Sequence, residues 1–470
     1  MPRPLRLRFA PSPTGDLHVG NARTHLCNWL VARREGGELF LRVEDTDVER
    51  NRPELIDTIF ELLRWLGLDW DGDPVHQSDR LDLYTAAAEK LLAAGRAYWC
   101  DCTAEQVQER ARRRGGPPGY DGHCRDRGLE RGPATALRFR VPDDGTTAFD
   151  DLVRGRVSFD NAKLEDFVLL RSTGHPTFLL ANLVDDADMG ITHVVRGEEH
   201  VNGTPKYLLI GEALGLDHRP AFAHLPVLVN EQRKKLSGRR GDAVSVGDFR
   251  DQGYLPEAVV NYLATLGWGP PDGVEIRPLA EIVDLFRLTD VTSSPAFFDV
   301  RKLQHFNAEH IRALDVDDFV ARARPFFAHG GATEAVLRPI APLVQERVRL
   351  LTEAEPMVDF LREPEVEIDE AAWTKGVAKL GERAAGMLDA AITGLSACDW
   401  DAGAIEAALH DAARASGFLN AEGGVQMAKA QAPVRVAVTG RTVGPPLYES
   451  LVVLGRERTL ERLRAARARL

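Results

Sequence analysis

Cysteine is scarce in this chain. Five residues in 470 cannot staple a disulfide framework, so the fold must rest on hydrophobic cores, and this length calls for roughly two to four folding units. No apolar run is long enough to span a bilayer, which excludes a helical membrane anchor. The first ten residues alternate Arg with Leu and hold neither a continuous apolar segment nor a small-residue cleavage site, so no signal peptide is read and a cytoplasmic location is expected. Basic charge is also in deficit, with 59 Lys and Arg against 71 Asp and Glu and a net charge of -12. That balance weighs against a chain basic throughout, yet local basic faces remain open to it; Arg456, Arg458, Arg462, Arg464, Arg467 and Arg469 form one candidate or a merely solvated helix. No G-x-G-x-x-G follows the first strand, which argues against a dinucleotide-dependent oxidoreductase, and no fixed-period repeat or low-complexity tract is present.

What is present is ordered. Leu5 to Phe9 reads as a strand, Val19 to Arg34 as a helix stopped by Gly36-Gly37, Leu39 to Val43 as a second strand of period two, and Pro53 opens a helix through Leu66. A β-α-β-α opening predicts a parallel sheet with crossover helices. From about 72 to 188 the pattern loosens into an insertion, after which Ile191–Val195 and Leu225–Val229 read as strands around a helix at about 204–215. Beyond about residue 308 strand signals are sparse and helical runs recur at 336–351, 375–395, 402–415 and 447–470. The predicted class is therefore α/β, a Rossmann-type parallel sheet with an inserted subdomain, followed by an all-α C-terminal domain.

The segment from Arg8 to Asn21 lies between first strand and first helix, where α/β sheets bind ligands. Gly20 allows close approach of a flat base, the helix N-terminus offers free N–H groups to phosphate, and His18 can donate to it. Taken singly, His18 reads equally as a turn histidine. A second element, Arg233 to Gly241, is a glycine-punctuated basic loop able to close over a triphosphate, or alone an exposed basic loop. Arg8 and Arg196 with Glu44 supply two cations and an anion, the complement of an amino acid bearing two carboxylates and an ammonium.

Together with RFAPSPTGDLHVGNART, the stretches LFLRVEDTD, HQSDRLDLY, NLVDDADMGITHVVRGEEHVNGTPK and VGPPLYESLVVLGRERTLERL occur in an order that resembles the bacterial-type glutamyl-tRNA synthetases of class I. The resemblance implies that His18-Val19-Gly20-Asn21 is the HIGH signature and that Lys235 to Arg239 stands where the family has KMSKS. It implies catalytic roles for His18, Lys235, Ser237 and Arg239, and ATP binding by Ser12, Thr14, His18, Gly20, Asn21, Lys234 and Lys235. Arg8, Ala10, Ser12, Glu44, Phe178, Arg196 and His200 are implied for glutamate and its adenylate. The expected partners are ATP with Mg2+, L-glutamate and tRNA(Glu), with tRNA(Gln) as an open second acceptor, and no membrane; a monomer is expected. The implied domains are a catalytic domain over 1–320 and an all-helical anticodon-binding domain over 321–470. Within the first, nucleotide-binding halves at about 1–71 and 189–250 flank an acceptor-end insertion at about 72–188, and a connecting region runs from about 251 to 320.

Two positions depart from the family. Gly238 replaces the second lysine of the loop, where a lost cation could cost on the order of a hundredfold in rate unless Lys234, Arg239 or Arg240 substitutes. Phe178 stands where a tyrosine commonly bonds the substrate. These departures keep a weakly catalytic, tRNA-binding paralogue as a second reading, while the helical third argues against the truncated tRNA-modifying relatives, which lack it. Cys100, Cys102 and Cys124 resemble a structural zinc site found in a subset of these enzymes, with Asp126 where a histidine often completes it and Tyr120 and His123 nearby.

Overall fold

The computed structural model describes residues 4–47, 51–115, 119–237, 241–242 and 244–470. Strand β1 (Arg6–Phe9), helix α1 (Val19–Glu35), β2 (Glu38–Val43), α2 (Glu54–Trp65) and β3 (Val75–His76) open the chain. β1, β2 and β3 pair parallel, as the alternation of elements requires. Helix α1 ends at Gly36, which takes the left-handed φ of 63° and caps Ala32 with its N–H.

Then follow α3 (Leu81–Ala93), β4 (Ala97–Cys100), α4 (Ala104–Arg114), β5 (Ala136–Phe139), β6 (Thr146–Asp151), β7 (Gly155–Asp160), β8 (Val168–Leu170) and α5 (Phe178–Asp188). β4, β5 and β8 form an antiparallel sheet. The β6–β7 hairpin does not join it. It extends instead the sheet of β9 (His193–Gly197) and β10 (Ala221–Leu225), with β10 parallel to both β6 and β9. The second parallel sheet thus borrows its edge from the stretch read as an insertion. The two parallel sheets meet where Thr192 N–H donates to Arg6 O at 2.9 Å.

Helix α6 (Thr204–Ala213) follows β9 at the expected place. The strand expected at 225–229 divides into β10 and a two-residue β11 (Leu228–Val229), because Pro226 interrupts it. The chain divides into two compact units, residues 1–250 with 256–303 and residues 251–255 with 304–470. Among the described residues the second unit has no named strand. Several of its expected helices are broken: 336–351 at Pro339 and Pro342, 375–395 at Gly381 (φ 55°), and 447–470 at Gly455 (φ 88°). The last helix, Arg456–Arg469, is no free basic face: Arg456 donates to Cys398 O, Arg458 to Leu361 O, Arg462 to Val438 O, and Arg467 pairs with Asp389.

Candidate active site and metal centre

A cavity of about 980 Å³ opens at the carboxyl ends of β1 and β9. Its first wall is the turn before α1, with Ala10, Ser12, Thr14, His18, Gly20 and Asn21 all in place. His18 is the N-cap of α1, and its Nδ1 accepts the Gly20 N–H at 3.0 Å. Burial first, then the Lys235 charge, pushes the imidazole below its ordinary pKa. A neutral ring with Nδ1 accepting carries its proton on Nε2, so His18 can offer an N–H to an anion.

Opposite lie Lys235 and Ser237 on the stem of the basic loop. Lys235 pairs with Glu199 at 3.3 Å. Burial would raise the Glu199 carboxyl, but its backbone hydrogen bond and Lys235 hold it below the usual range. Ser237 N donates to Asp242 Oδ2 at 2.9 Å, closing the loop on itself. Lys234 is not on the cavity wall: it is exposed, and its N–H bonds Asn230 Oδ1 in the turn that leads into the loop. Gly238, Arg239 and Arg240 lie outside the described residues.

The third wall holds Arg8, Glu44, Phe178, Arg196 and His200. Phe178 stacks on His200 with ring centroids 5.0 Å apart. Burial, then the Arg196 charge, pushes His200 down to about 4. Arg196 is itself buried; its Nε donates to His224 Nε2 at 3.1 Å and its Nη2 to Thr204 Oγ1 at 2.8 Å, while Nη1 has no partner. Burial, then Arg8, lowers it to about 10, so it stays charged at neutral pH. A buried guanidinium with an unmatched N–H is suited to a ligand carboxylate.

Beneath this wall lies a layer that sequence reading missed. Asp186 on α5 accepts Arg8 Nε at 3.0 Å and Arg42 Nη1 at 2.6 Å, and Arg42 Nη2 reaches Asn182 at 2.5 Å and approaches Glu44 to 3.8 Å. Burial would raise the Asp186 carboxyl, but Arg42 and Arg8 bring it to about 2. Burial raises Glu44 above its usual range despite Arg42. Arg42 alternates with apolar residues in β2 and so looked solvent-facing, yet it is fully buried because both sheet faces are covered. The available signal was Asn182, Asp185 and Asp186 at helical spacing within an α5 whose only other polar residue is Asp188 at its end.

Away from the cavity, the Cys100, Cys102 and Cys124 ligand atoms lie within 4.8 Å of one another. Each sulfur meets a guanidinium, from Arg138, Arg110 and Arg127 respectively. Three thiol ligands gathered this closely fit a divalent cation. Asp126 does not join them. Its exposed carboxylate pairs with Arg140 at 3.1 Å, while the Tyr120 hydroxyl lies 3.5 Å from Cys100 Sγ and Asp101 Oδ1 lies 3.3 Å from Cys124 Sγ.

Residues 4–305 match the family model described as the catalytic domain of class I tRNA synthetases (E and Q), and residues 318–467 match an anticodon binding domain. The chain belongs to the class I glutamyl and glutaminyl tRNA synthetases. Among its relatives in this synthetase family are proteins named glutamate–tRNA ligase from Frankia casuarinae, 52% identical over 99% of this chain and 98% of the relative, and from Thermobifida fusca, 52% identical with the same coverage. The crystal structure of a glutamate tRNA ligase from Elizabethkingia meningosepticum in complex with its amino acid superposes with a TM-score of 0.83, at 29% identity over 99% of both chains. That of a glutamate-tRNA synthetase from Elizabethkingia anophelis gives 0.83 at 30%, covering 99% of this chain and all of the other.

Proposed function

We propose that this chain is a glutamate–tRNA ligase that activates L-glutamate with ATP-Mg and passes it to the 3' end of tRNA(Glu). The observation that carries the reading is the third wall of the cavity. Two buried arginines, one with an unmatched N–H, stand with a buried carboxylate beside a phosphate-competent helix end, which suits a dicarboxylic amino acid and a nucleotide together.

Arg8 and Arg196 take the two glutamate carboxylates and Glu44 takes the ammonium, with Ala10, Ser12, Phe178 and His200 completing the pocket. Burial of these charges strengthens the recognition relative to water. Ser12, Thr14, Gly20 and Asn21 border the nucleotide, and His18 Nε2–H with Lys235 neutralises charge gathering on the phosphates as the glutamate oxygen attacks the α-phosphorus and pyrophosphate leaves. Ser237 and Arg239 belong to the same loop. Lys234, facing away, contributes at most by field. The adenylate carbonyl is then attacked by the terminal ribose hydroxyl of tRNA, releasing AMP.

Residues 1–320 act as the catalytic domain, with the stretch at about 72–188 holding the acceptor end, and residues 321–470 read the anticodon. Cys100, Cys102 and Cys124 would hold a zinc ion, which would brace the acceptor-end part and take no share in the reaction. The ligase works as a cytoplasmic monomer, where its ATP and tRNA substrates are found. Pyrophosphate exchange in the presence of tRNA tests the reading: glutamate supports exchange, and exchange with glutamine in preference to glutamate would reject it.

A further inference from the structure

The unmatched N–H of Arg196 is useful only if the rest of that guanidinium is held still. Its Nε donates to His224 Nε2 at 3.1 Å, and His224 Nδ1 lies 2.6 Å from Asp151 Oδ2. Asp151 and His224 side chains are both fully buried. Arg196 has no lone pair, so His224 Nε2 must accept, which places the ring proton on Nδ1 and makes Asp151 its acceptor. The chain Asp151, His224, Arg196 therefore has a single hydrogen-bond polarity.

Asp151 is the last residue of β6, at the β6–β7 turn and well before Arg196 and His224 in sequence. Its Oδ1 accepts the N–H groups of Val153 and Arg154 at 3.0 and 2.9 Å, and its backbone neighbour Leu152 N–H donates to Phe222 O at 2.8 Å. From the same turn Arg154 pairs with Glu198, whose Oε1 accepts Val227 N–H at 2.9 Å. One turn thus grips the carboxyl ends of β9 and β10, from which Arg196 and the approach to the basic loop depart. Burial lowers His224 below its ordinary value, consistent with a neutral ring.

We infer that Asp151 and His224 are positioning residues that fix the Arg196 guanidinium for the substrate carboxylate, with the β6–β7 turn as their anchor. This rests on the reading of the cavity as a glutamate site. Asp151→Asn puts an amide N–H where an acceptor is needed. Either that N–H meets His224 Nδ1, which then must accept and turn Nε2–H against the Arg196 donor, or the amide is flipped and its N–H faces the Val153 and Arg154 N–H groups, so the anchor in the turn is lost.

The test is steady-state kinetics of the full chain with tRNA, titrating glutamate and ATP separately, beside thermal melting. Asp151→Asn and His224→Ala are expected to raise the glutamate KM by about tenfold or more, the worth of one hydrogen bond to a charged group. The ATP KM should stay within about twofold, a split that general loosening does not produce. His224→Gln, whose amide oxygen can accept from Arg196, should recover part of the loss. Equal changes in both KM values, an unchanged glutamate KM, or failure of both variants to fold would overturn the inference, since the pair would then serve the fold alone. Failure of the wild-type chain to use glutamate would instead reject the reading of the site.

Discussion

Replacing Asp186 with asparagine is the sharpest test of how the substrate wall is supported. The carboxylate sits buried between Arg8 Nε, Arg42 Nη1 and the Tyr207 hydroxyl at 3.0, 2.6 and 3.2 Å. Asparagine keeps the volume but removes the charge that balances Arg8 and Arg42; with its carbonyl in place of Oδ1, which accepts from both, its N–H faces the Tyr207 hydroxyl. Breaking a buried ion pair from one side costs about 3–5 kcal/mol. A separate route starts from a carboxyl held at about 2, against an ordinary value near 3.8, and gives about 2–3 kcal/mol. The two agree in order and are a large share of a typical stability of about 5–15 kcal/mol. The sign follows from the depressed value: the contribution is complete above pH about 4 and is lost as pH falls toward about 2. The assay is urea-dependent hydrogen exchange read by mass spectrometry, comparing an α5 peptide with one from helix Ala402–Ala415 in the other unit. We expect the α5 opening energy to fall by several kcal/mol at pH 7, the 402–415 peptide to be unmoved, and the glutamate KM to rise as Arg8 loses its tether. A loss below about 1 kcal/mol would refute the reasoning, because no buried charge would then have been left unpaired.

His18→Ala should reduce adenylate formation by about a hundredfold or more, with a stability loss of only about 1 kcal/mol from the lost N-cap, measured by pyrophosphate exchange and thermal melting. Glu44, raised by burial, must be ionised to receive an ammonium, so kcat/KM for glutamate should begin to fall at a pH above the ordinary carboxyl range as pH decreases, while the ATP KM holds; an equal response of both substrates would count against the assignment. Purified protein should carry about one zinc per chain by plasma mass spectrometry, reduced in Cys124→Ser and unchanged in Asp126→Ala, whose carboxylate faces Arg140.

Much of the cavity was legible because its residues cluster in short segments punctuated by glycine and proline. The turn from Ala10 to Asn21 and the strand-end position of Arg196 could be read directly, since strand carboxyl ends are where such sheets bind ligands. What stayed hidden was the support beneath. Arg42 and Asp186 are polar residues in patterned elements whose burial shows only in the packing of a second layer, while Asp151 and His224 share strand faces with Phe149 and Phe222, and only the pairing of β6 with β10 brings them together. Nor can sequence distance decide which donors stand beside a cysteine cluster: Asp126 is two residues from Cys124 but turned to Arg140, while Tyr120 lies against Cys100 and Asp101 against Cys124. Helix ends in the second unit were missed where Pro339, Pro342, Gly381 and Gly455 cut otherwise continuous apolar periodicity.

The central claim meets its most direct test in the transfer of labelled glutamate to purified tRNA, with ATP and magnesium, using the glutamate and glutamine acceptors in parallel. The account predicts ATP-dependent charging of tRNA(Glu), with the tRNA(Gln) lane deciding whether the enzyme discriminates. No charging of tRNA(Glu) by a folded protein that binds both ATP and tRNA would contradict it.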